Sequence, residues 1–477
     1  MLRLIIMLAL NAIFWLETAA QAVPAPVYPL PSEAQLAWHE MEMNAFIHFT
    51  INTFTDKEWG YGNESPALFN PSSADPGQWA KALKDAGFRG LILTCKHHDG
   101  FCLWPSGFTT HSVKNSPWKN GKGDIVRETR DAAAKQGLKF GIYLSPWDRN
   151  RADYGSPAYI SYYRQQLQEL FTSYGPVFEM WFDGANGGDG FYGGANEKRK
   201  INGATYYDWP GTIEQVRRVS PDVIFFSDAG PGVRWVGNEK GLAGETNWNT
   251  ISTDTLFAGK AGIEGLLNTG SPDGDKWVPA EVDVSIRPGW FYHQREDSLV
   301  KTAEELFSIY LSSVGRGSVL LLNVPPDRRG LLHENDLYTL RGFRTLLDRE
   351  FGHNLAAGAT IKATQVRKGY AAGNMIDGKK ETFWATNDTV KTAVIELWFP
   401  KPQRVKYILL QEYIRLGQRV SAFTVEYLVD GVWKAAASGT TIGYKRILEL
   451  RPATATAVRV SIDQSKAGPL ISNLEIY

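Results

Sequence analysis

Cysteine is almost missing. Cys95 and Cys102 are the only two in 477 residues. A disulfide framework of the kind that staples small secreted domains is thereby excluded, and stability has to come from the core. The pair can close one small-loop disulfide or sit as two buried thiols, and a cysteine-only structural zinc site needs more ligands than these. Net charge is missing too: 51 basic side chains balance 51 acidic ones, so there is no whole-chain basic footprint for nucleic acid. Beyond the first residues no stretch approaches the ~20 uninterrupted apolar residues of a membrane span. No Gly-x-Gly-x-x-Gly or Gly-Lys-Ser loop follows a strand-like run, which weakens a nucleotide reading. Repeats and low-complexity tracts do not stand out. With 43% hydrophobic and 21% charged residues, the bulk of the chain is not disordered, collagenous or coiled coil.

The opening segment is a short basic start (Met1-Leu2-Arg3), an apolar run from Leu4 to Leu16, and a small-residue ending at Ala22. The run is too short to span a bilayer and reads as a secretory signal cut after Ala22. No cysteine follows it, so a bacterial lipoprotein anchor is not expected. The mature chain is expected in the periplasm or outside the cell, with no membrane insertion after cleavage.

From residue 23 to 352 the pattern alternates short apolar runs with amphipathic helices. Strands are predicted at Asn44–Phe49, Gly90–Cys95, Leu138–Leu144, Val177–Asp183, Asp222–Ser227 and Ser318–Asn323, with the sixth and seventh of eight placed within Leu242–Trp290. Asp75-Pro76, Asp124 and Ser156-Pro157 open helices that stop at Gly87, Gly137 and Gly175. Two further helices are expected at 297–314 and 335–351. Strand–helix alternation implies parallel pairing with right-handed crossovers, in an open doubly wound sheet or a closed (β/α)8-like barrel. The barrel is favoured because polar and aromatic residues gather at strand ends: His48, His97, His98, Tyr143, Asp183, Asp228. Catalytic groups of barrels sit at the C-terminal ends of the strands. From 353 to 477 helical spacing stops and short strands take over, with Asp430-Gly431 as a hairpin signal; this part reads as an all-β sandwich.

Aromatic residues are what the chain has in abundance. Twelve of its 16 tryptophans lie between Trp38 and Trp290, and a few of Trp59, Trp104, Trp147, Trp181, Trp235 and Trp290 should line a pocket, since sugar C–H faces pack on aromatic rings. Asp183 ends an apolar strand and precedes Gly184, where a substrate can approach; the alternative is a cap on the next loop. His97 and His98 are adjacent, and neighbouring strand residues point to opposite faces. They therefore suit hydrogen bonding to ring hydroxyls better than joint metal ligation. Glu239, Glu245, Glu281 and Asp283 are the supply of second carboxylates, and two carboxylates flanking a glycosidic bond can carry out its hydrolysis.

Five motifs in order, Phe46-Ile-His48-Phe, Glu58-Trp59-Gly, Lys96-His97-His98-Asp99-Gly-Phe, Gly141-Ile-Tyr143-Leu-Ser-Pro-Trp147 and Trp181-Phe-Asp183-Gly, resemble the α-L-fucosidases of glycoside hydrolase family 29 over Gln35 to Asn323. The resemblance implies a retaining exo-fucosidase with Asp183 as nucleophile. His48, Glu58, Trp59, His97, His98, Tyr143 and Trp181 would hold the fucose ring, with Trp290 as a further wall. Trp235-Val-Gly-Asn-Glu239 is similar to the acid/base segment of the branch that prefers α-1,3/1,4-linked fucose, so Glu239 is chosen over Glu245 and Glu281. Neither a metal nor an organic cofactor is implied. The Gly-rich stretch 184–203 is longer than that family's pattern and is read as a wall on the leaving-group side or a mobile lid. The tail, with Asn374-Met-Ile-Asp377-Gly, Thr382-Phe-Trp384 and Leu474-Glu-Ile-Tyr477, resembles discoidin (factor 5/8 type C) domains, which often bind carbohydrate and sometimes calcium. Fucosylated glycans are the expected partners. A catalytically silent fucose-binding protein on the same scaffold is the alternative.

Overall fold

The structure is a computed structural model that describes residues 23–477; the expected signal segment, residues 1–22, lies outside the described residues. Eight parallel strands close into a barrel: β1 (Met43–Ile47), β2 (Gly90–Lys96), β3 (Lys139–Leu144), β4 (Glu179–Trp181), β5 (Ile224–Ser227), β6 (Val233–Trp235), β7 (Ala280–Ser285) and β8 (Val319–Asn323). Each pairs with its sequence neighbours, and β8 closes on β1. The expected helices form at Pro76–Asp85, Ile125–Lys135, Pro157–Tyr174, Ala303–Ser312 and Glu334–Phe351. Asp75 and Asp124 cap the first two by accepting from the N–H of Gln78 and Arg127, donors a helix start otherwise leaves unpaired. A helix at Trp209–Val219 is an addition to the sequence reading.

The sixth strand corrects that reading. It lies at Val233–Trp235, ahead of the 242–290 window, and only residues 228–232 separate it from β5. A parallel pair normally needs a crossover of a dozen residues or more, and here the helix is left out. The strand is three residues long and carries Arg234 at its centre, so neither apolar alternation nor a preceding helix marks it. Arg234 is buried outside the barrel wall, where its guanidinium donates to the carbonyls of Leu267, Val278 and Trp248; burial lowers it to about 9.

Alternation along each strand sends one set of side chains inward. Trp38, Phe46, Ile92, Tyr143, Trp181, Phe226, Val233 and Leu321 fill the barrel, while Met180, Phe182 and their counterparts pack under the helices. Two carboxyls share this interior. Glu179 Oε2 accepts from Trp38 Nε1 at 2.9 Å, and Glu281 Oε2 from Trp181 Nε1 at 3.1 Å. The remaining oxygens, both Oε1, are buried and have only each other. Burial and the Glu179 charge push Glu281 far above its ordinary value, and burial takes Glu179 to about 7. Glu281 therefore holds the proton and donates it to Glu179. Glu281→Gln keeps both bonds and should stay near wild-type stability. Glu281→Leu leaves the Trp181 N–H and a Glu179 oxygen unpaired and should cost about 2–5 kcal/mol in urea unfolding.

Both cysteines are buried free thiols. The tail is a seven-stranded antiparallel sheet. Its two longest strands, Ala393–Glu412 and Arg446–Ser465, break register at 398/403 and 405/407, where bulges bend them around a core that includes Trp384, Phe423 and Leu474. The tail docks beside the start of β1: Glu42 takes Lys445 Nζ at 2.6 Å and Tyr444 O–H at 3.0 Å. That is the N-terminal end of the barrel, opposite its pocket. Among the described residues no helix is long and apolar enough to cross a membrane.

Candidate active site

Asp183 follows β4 by two residues, and inward alternation from Glu179 and Trp181 carries its carboxylate to the C-terminal mouth of the barrel. Its side chain is 27% exposed. Tyr143, at the end of β3, donates its O–H to Asp183 Oδ2 at 2.9 Å, and His98 Nε2 lies 3.9 Å from the same oxygen. Burial pushes the Asp183 carboxyl up, while the Tyr143 hydroxyl and the Ala185 amide pull it back.

Three imidazoles stand around it. β2 breaks register between Thr94 and Lys96, and the chain leaves the strand immediately after, so His97 and His98 turn to the same pocket with ring centroids 4.1 Å apart. Strand alternation does not separate them, because neither is in the strand. Burial lowers His48 and His98 to about 3 and His97 well below its ordinary value, so all three are neutral. Their partners set two tautomers. Asn323 uses its amide N–H groups on Trp290 O and Ser285 Oγ, which makes its Oδ1 the acceptor for His48 Nδ1 at 2.8 Å. Ser145 donates to Trp147 O at 2.6 Å, so it accepts from His98 Nδ1 at 2.7 Å. Both histidines thus offer Nε2 as a hydrogen-bond acceptor to a ligand hydroxyl.

Aromatic rings wall the space. Trp59 is 58% exposed and stands edge-on to His98 and Trp147 at 5.5 and 5.9 Å, an arrangement that leaves a large flat face to a ligand. Trp290, half-buried, lies 5.2 Å from His48. Trp181 is placed differently: it stacks on Phe226 at 4.0 Å and directs its indole N–H to Glu281, forming the floor below Tyr143. The Gly-rich stretch forms a hairpin, Gly187–Gly190 against Glu197–Lys200. A Cβ on Gly188 would lie 2.8 Å from the Trp147 ring, and Tyr192 O–H accepts from Trp147 Nε1 at 2.8 Å. The hairpin therefore packs against the pocket as part of its wall.

The second carboxylate is separated by tertiary position alone. Glu239 stands at the mouth and accepts from Trp290 Nε1 at 3.3 Å; partial burial of its carboxyl raises it, the Trp290 N–H pulls it back, and the Asp183 and Glu58 charges add smaller rises. Glu245 is 77% exposed on Arg316 beside the tail domain, and Glu281 is enclosed in the barrel. Asp283, held by Trp235 Nε1 at 2.8 Å, and Asp228, raised by burial to about 6, complete the acidic side. Glu58 accepts from the backbone N–H of Trp290 and Phe291 and from His293, which leaves part of its carboxylate for a ligand. The sequence reading passes over Ser145, Phe291, His293 and the role of Asn323; only Ser145 lies inside a motif.

Carboxylates, neutral imidazoles and exposed tryptophan faces at the C-terminal mouth of a parallel barrel define a carbohydrate-active barrel enzyme. Residues 18–350 match the alpha-L-fucosidase family model and residues 360–476 the F5/8 type C domain model. Alpha-L-fucosidase 1 of Arabidopsis thaliana is 40% identical over 95% of this chain and 88% of its own. A glycoside hydrolase 29 family member from an unknown rumen bacterium is 46% identical, with a TM-score of 0.85 over 95% of this chain and 78% of that one. A Ruminococcus gnavus GH29 fucosidase in complex with fucose is 34% identical, with a TM-score of 0.86 over 97% of both chains. The chain belongs to the α-L-fucosidases of glycoside hydrolase family 29 and carries an F5/8 type C domain behind its barrel.

Proposed function

We propose that the protein is an exported, exo-acting, retaining α-L-fucosidase that removes terminal α-1,3/1,4-linked L-fucose from glycans. The observation that carries this reading is the pairing at the mouth. Asp183 is held at Oδ2 by Tyr143 at the mouth, and Glu239 stands on the Trp290 indole within reach of the Asp183 charge. Asp183 attacks C1 while Glu239 gives its proton to the departing glycosidic oxygen. Water then attacks the fucosyl–Asp183 ester with Glu239 as base, releasing fucose with its configuration kept. His48, His97 and His98, neutral, accept from or donate to ring hydroxyls, and Trp59 covers a sugar face. The similarity to the fucose-bound R. gnavus enzyme supports the sugar, the segment Trp235–Glu239 the linkage, and residues 1–22 the export.

Release of fucose from a Lewis-type trisaccharide, with none from an α-1,2-fucosylated one, is the expected result. Release from both removes the linkage preference, and release from neither removes the fucosidase reading. Tyr143→Phe takes away a bond that lowers the Asp183 pKa. The acid limb of the kcat/KM profile should therefore move to higher pH, with a loss of about 10-fold at the optimum.

A further inference from the structure

The loop after β3 carries an arginine into the aromatic wall. Arg149 is 9% exposed, and its guanidinium lies over the Trp147 and Tyr61 rings, 5.1 and 5.2 Å from their centroids. Its Nη1 donates to the carbonyl of Gly60 at 2.6 Å and, less closely, to that of Trp59 at 3.4 Å; its Nε donates to the carbonyl of Asp189 at 2.6 Å. A guanidinium is a planar fork with fixed donor directions, so acceptors at two of its nitrogens are set relative to each other. One acceptor group is the loop that bears Trp59, and the other is the glycine-rich hairpin. Main chain and ring contacts fix the hairpin to the same place. Tyr192 N–H donates to Arg149 O at 2.8 Å and Phe191 N–H to Tyr61 O at 3.0 Å. The Tyr192 hydroxyl takes Trp147 Nε1 and gives its own proton to Gly188 O, both at 2.8 Å. Held in this way, the hairpin is a brace rather than a lid.

Trp59 is the side chain that needs such a hold. Its ring is 58% exposed and meets His98 and Trp147 edge-on. Edge contacts select a rotamer, but the place of the ring follows its main chain, and the Trp59 and Gly60 carbonyls are what Arg149 grips. We propose that Arg149 is a positioning residue: it sets the Trp59 ring where that ring covers the sugar, and the hairpin braces Arg149 for the task. That Trp59 covers a sugar rests on the fucosidase reading; that Arg149 sets the ring does not. A second role has to be separated from this one. Burial first, and the Arg149 charge among the smaller causes, lower His97 and His98. Lysine keeps that charge and loses the fork.

The test uses the intact protein and a nitrophenyl α-L-fucoside. Arg149→Lys should raise KM about 10-fold, and the inhibition constant of L-fucose with it, while kcat stays within about twofold, the pattern of binding lost equally from ground and transition states. Trp59→Ala should raise KM at least as much. The double variant decides. If Arg149 acts through Trp59, adding Arg149→Lys to Trp59→Ala should raise KM by less than about twofold more. Factors that multiply, or a kcat loss as large as the KM rise, overturn the inference. Tyr192→Phe loosens the brace and leaves Arg149 in place. It should raise KM alone, by about threefold, and lose that effect in the Trp59→Ala background; it stands in if Arg149→Lys does not fold. The ring is followed directly by fluorine NMR of protein labelled with fluorotryptophan, the Trp59 signal being the one lost in Trp59→Ala. Arg149→Lys and Tyr192→Phe should shift or broaden it. A Trp59 signal unchanged in whichever of the two folds overturns the inference whether or not the enzyme turns over. A wild type that neither binds nor releases fucose removes the fucosidase reading, and the labelled ring still decides the role of Arg149.

Discussion

Asp183→Asn should cut fucose release by roughly 10⁴-fold or more while the folded protein still binds the sugar. Asparagine keeps the shape and can still accept from the Tyr143 hydroxyl, so the barrel end is undisturbed; what goes is the negative charge and the nucleophilic lone pair. Deleting the side chain, as in Asp183→Gly, leaves a gap on the face of C1 opposite the leaving group. Azide placed there displaces the leaving group once, with inversion, and the product should be β-L-fucosyl azide. NMR of the product reads its configuration, and an α product would remove Asp183 as the nucleophile.

Glu239→Ala has a different signature. Proton donation by a positioned carboxyl is worth about 10²- to 10⁴-fold, so glycan hydrolysis should fall by that factor, whereas an aryl fucoside with an acidic leaving group should still form the fucosyl–enzyme. The intermediate then accumulates, because its base is gone. Azide attacking it inverts the centre a second time and should yield the α azide, opposite to the Asp183→Gly product. The pH profile gives a further check. In the proposed double displacement Asp183 is ionised, so the acid limb should belong to it, and Glu239 is protonated, so the alkaline limb should belong to Glu239. Burial raises both carboxyls; the Tyr143 hydroxyl and the Ala185 amide oppose it at Asp183, and the Trp290 indole N–H opposes it at Glu239, where the Asp183 and Glu58 charges add to the rise. Glu239→Gln should keep the acid limb and flatten the alkaline one, measured as kcat/KM on a fucosylated trisaccharide, whose leaving group needs the proton.

The local physics of the barrel was readable along the chain. Asp75 and Asp124 announce helix starts because their short side chains satisfy N–H groups a few residues ahead. The apolar runs ending in His48 and Asp183 announce strands whose C-terminal ends carry polar groups, and a closed parallel barrel brings every such end to one mouth. β6 was not readable. It is short, is split by Arg234, and is reached without a helix, so it exists only because β5 and β7 leave a place for it.

The amino-acid sequence by itself determined the strand ends and therefore which residues face the mouth: His48, Tyr143 and Asp183, each reached by counting in steps of two. Tertiary structure alone decided how they are used. It turned His97 and His98 into one pocket through a break at the end of β2. It set the imidazole tautomers through Asn323 and Ser145, and it separated Glu239 from Glu245 and Glu281 by placing one at the mouth, one outside and one in the core. A hydrogen-bond donor or a burial cost belongs to whatever lies across the gap, and the residue across the gap in a barrel comes from a strand far away in the chain.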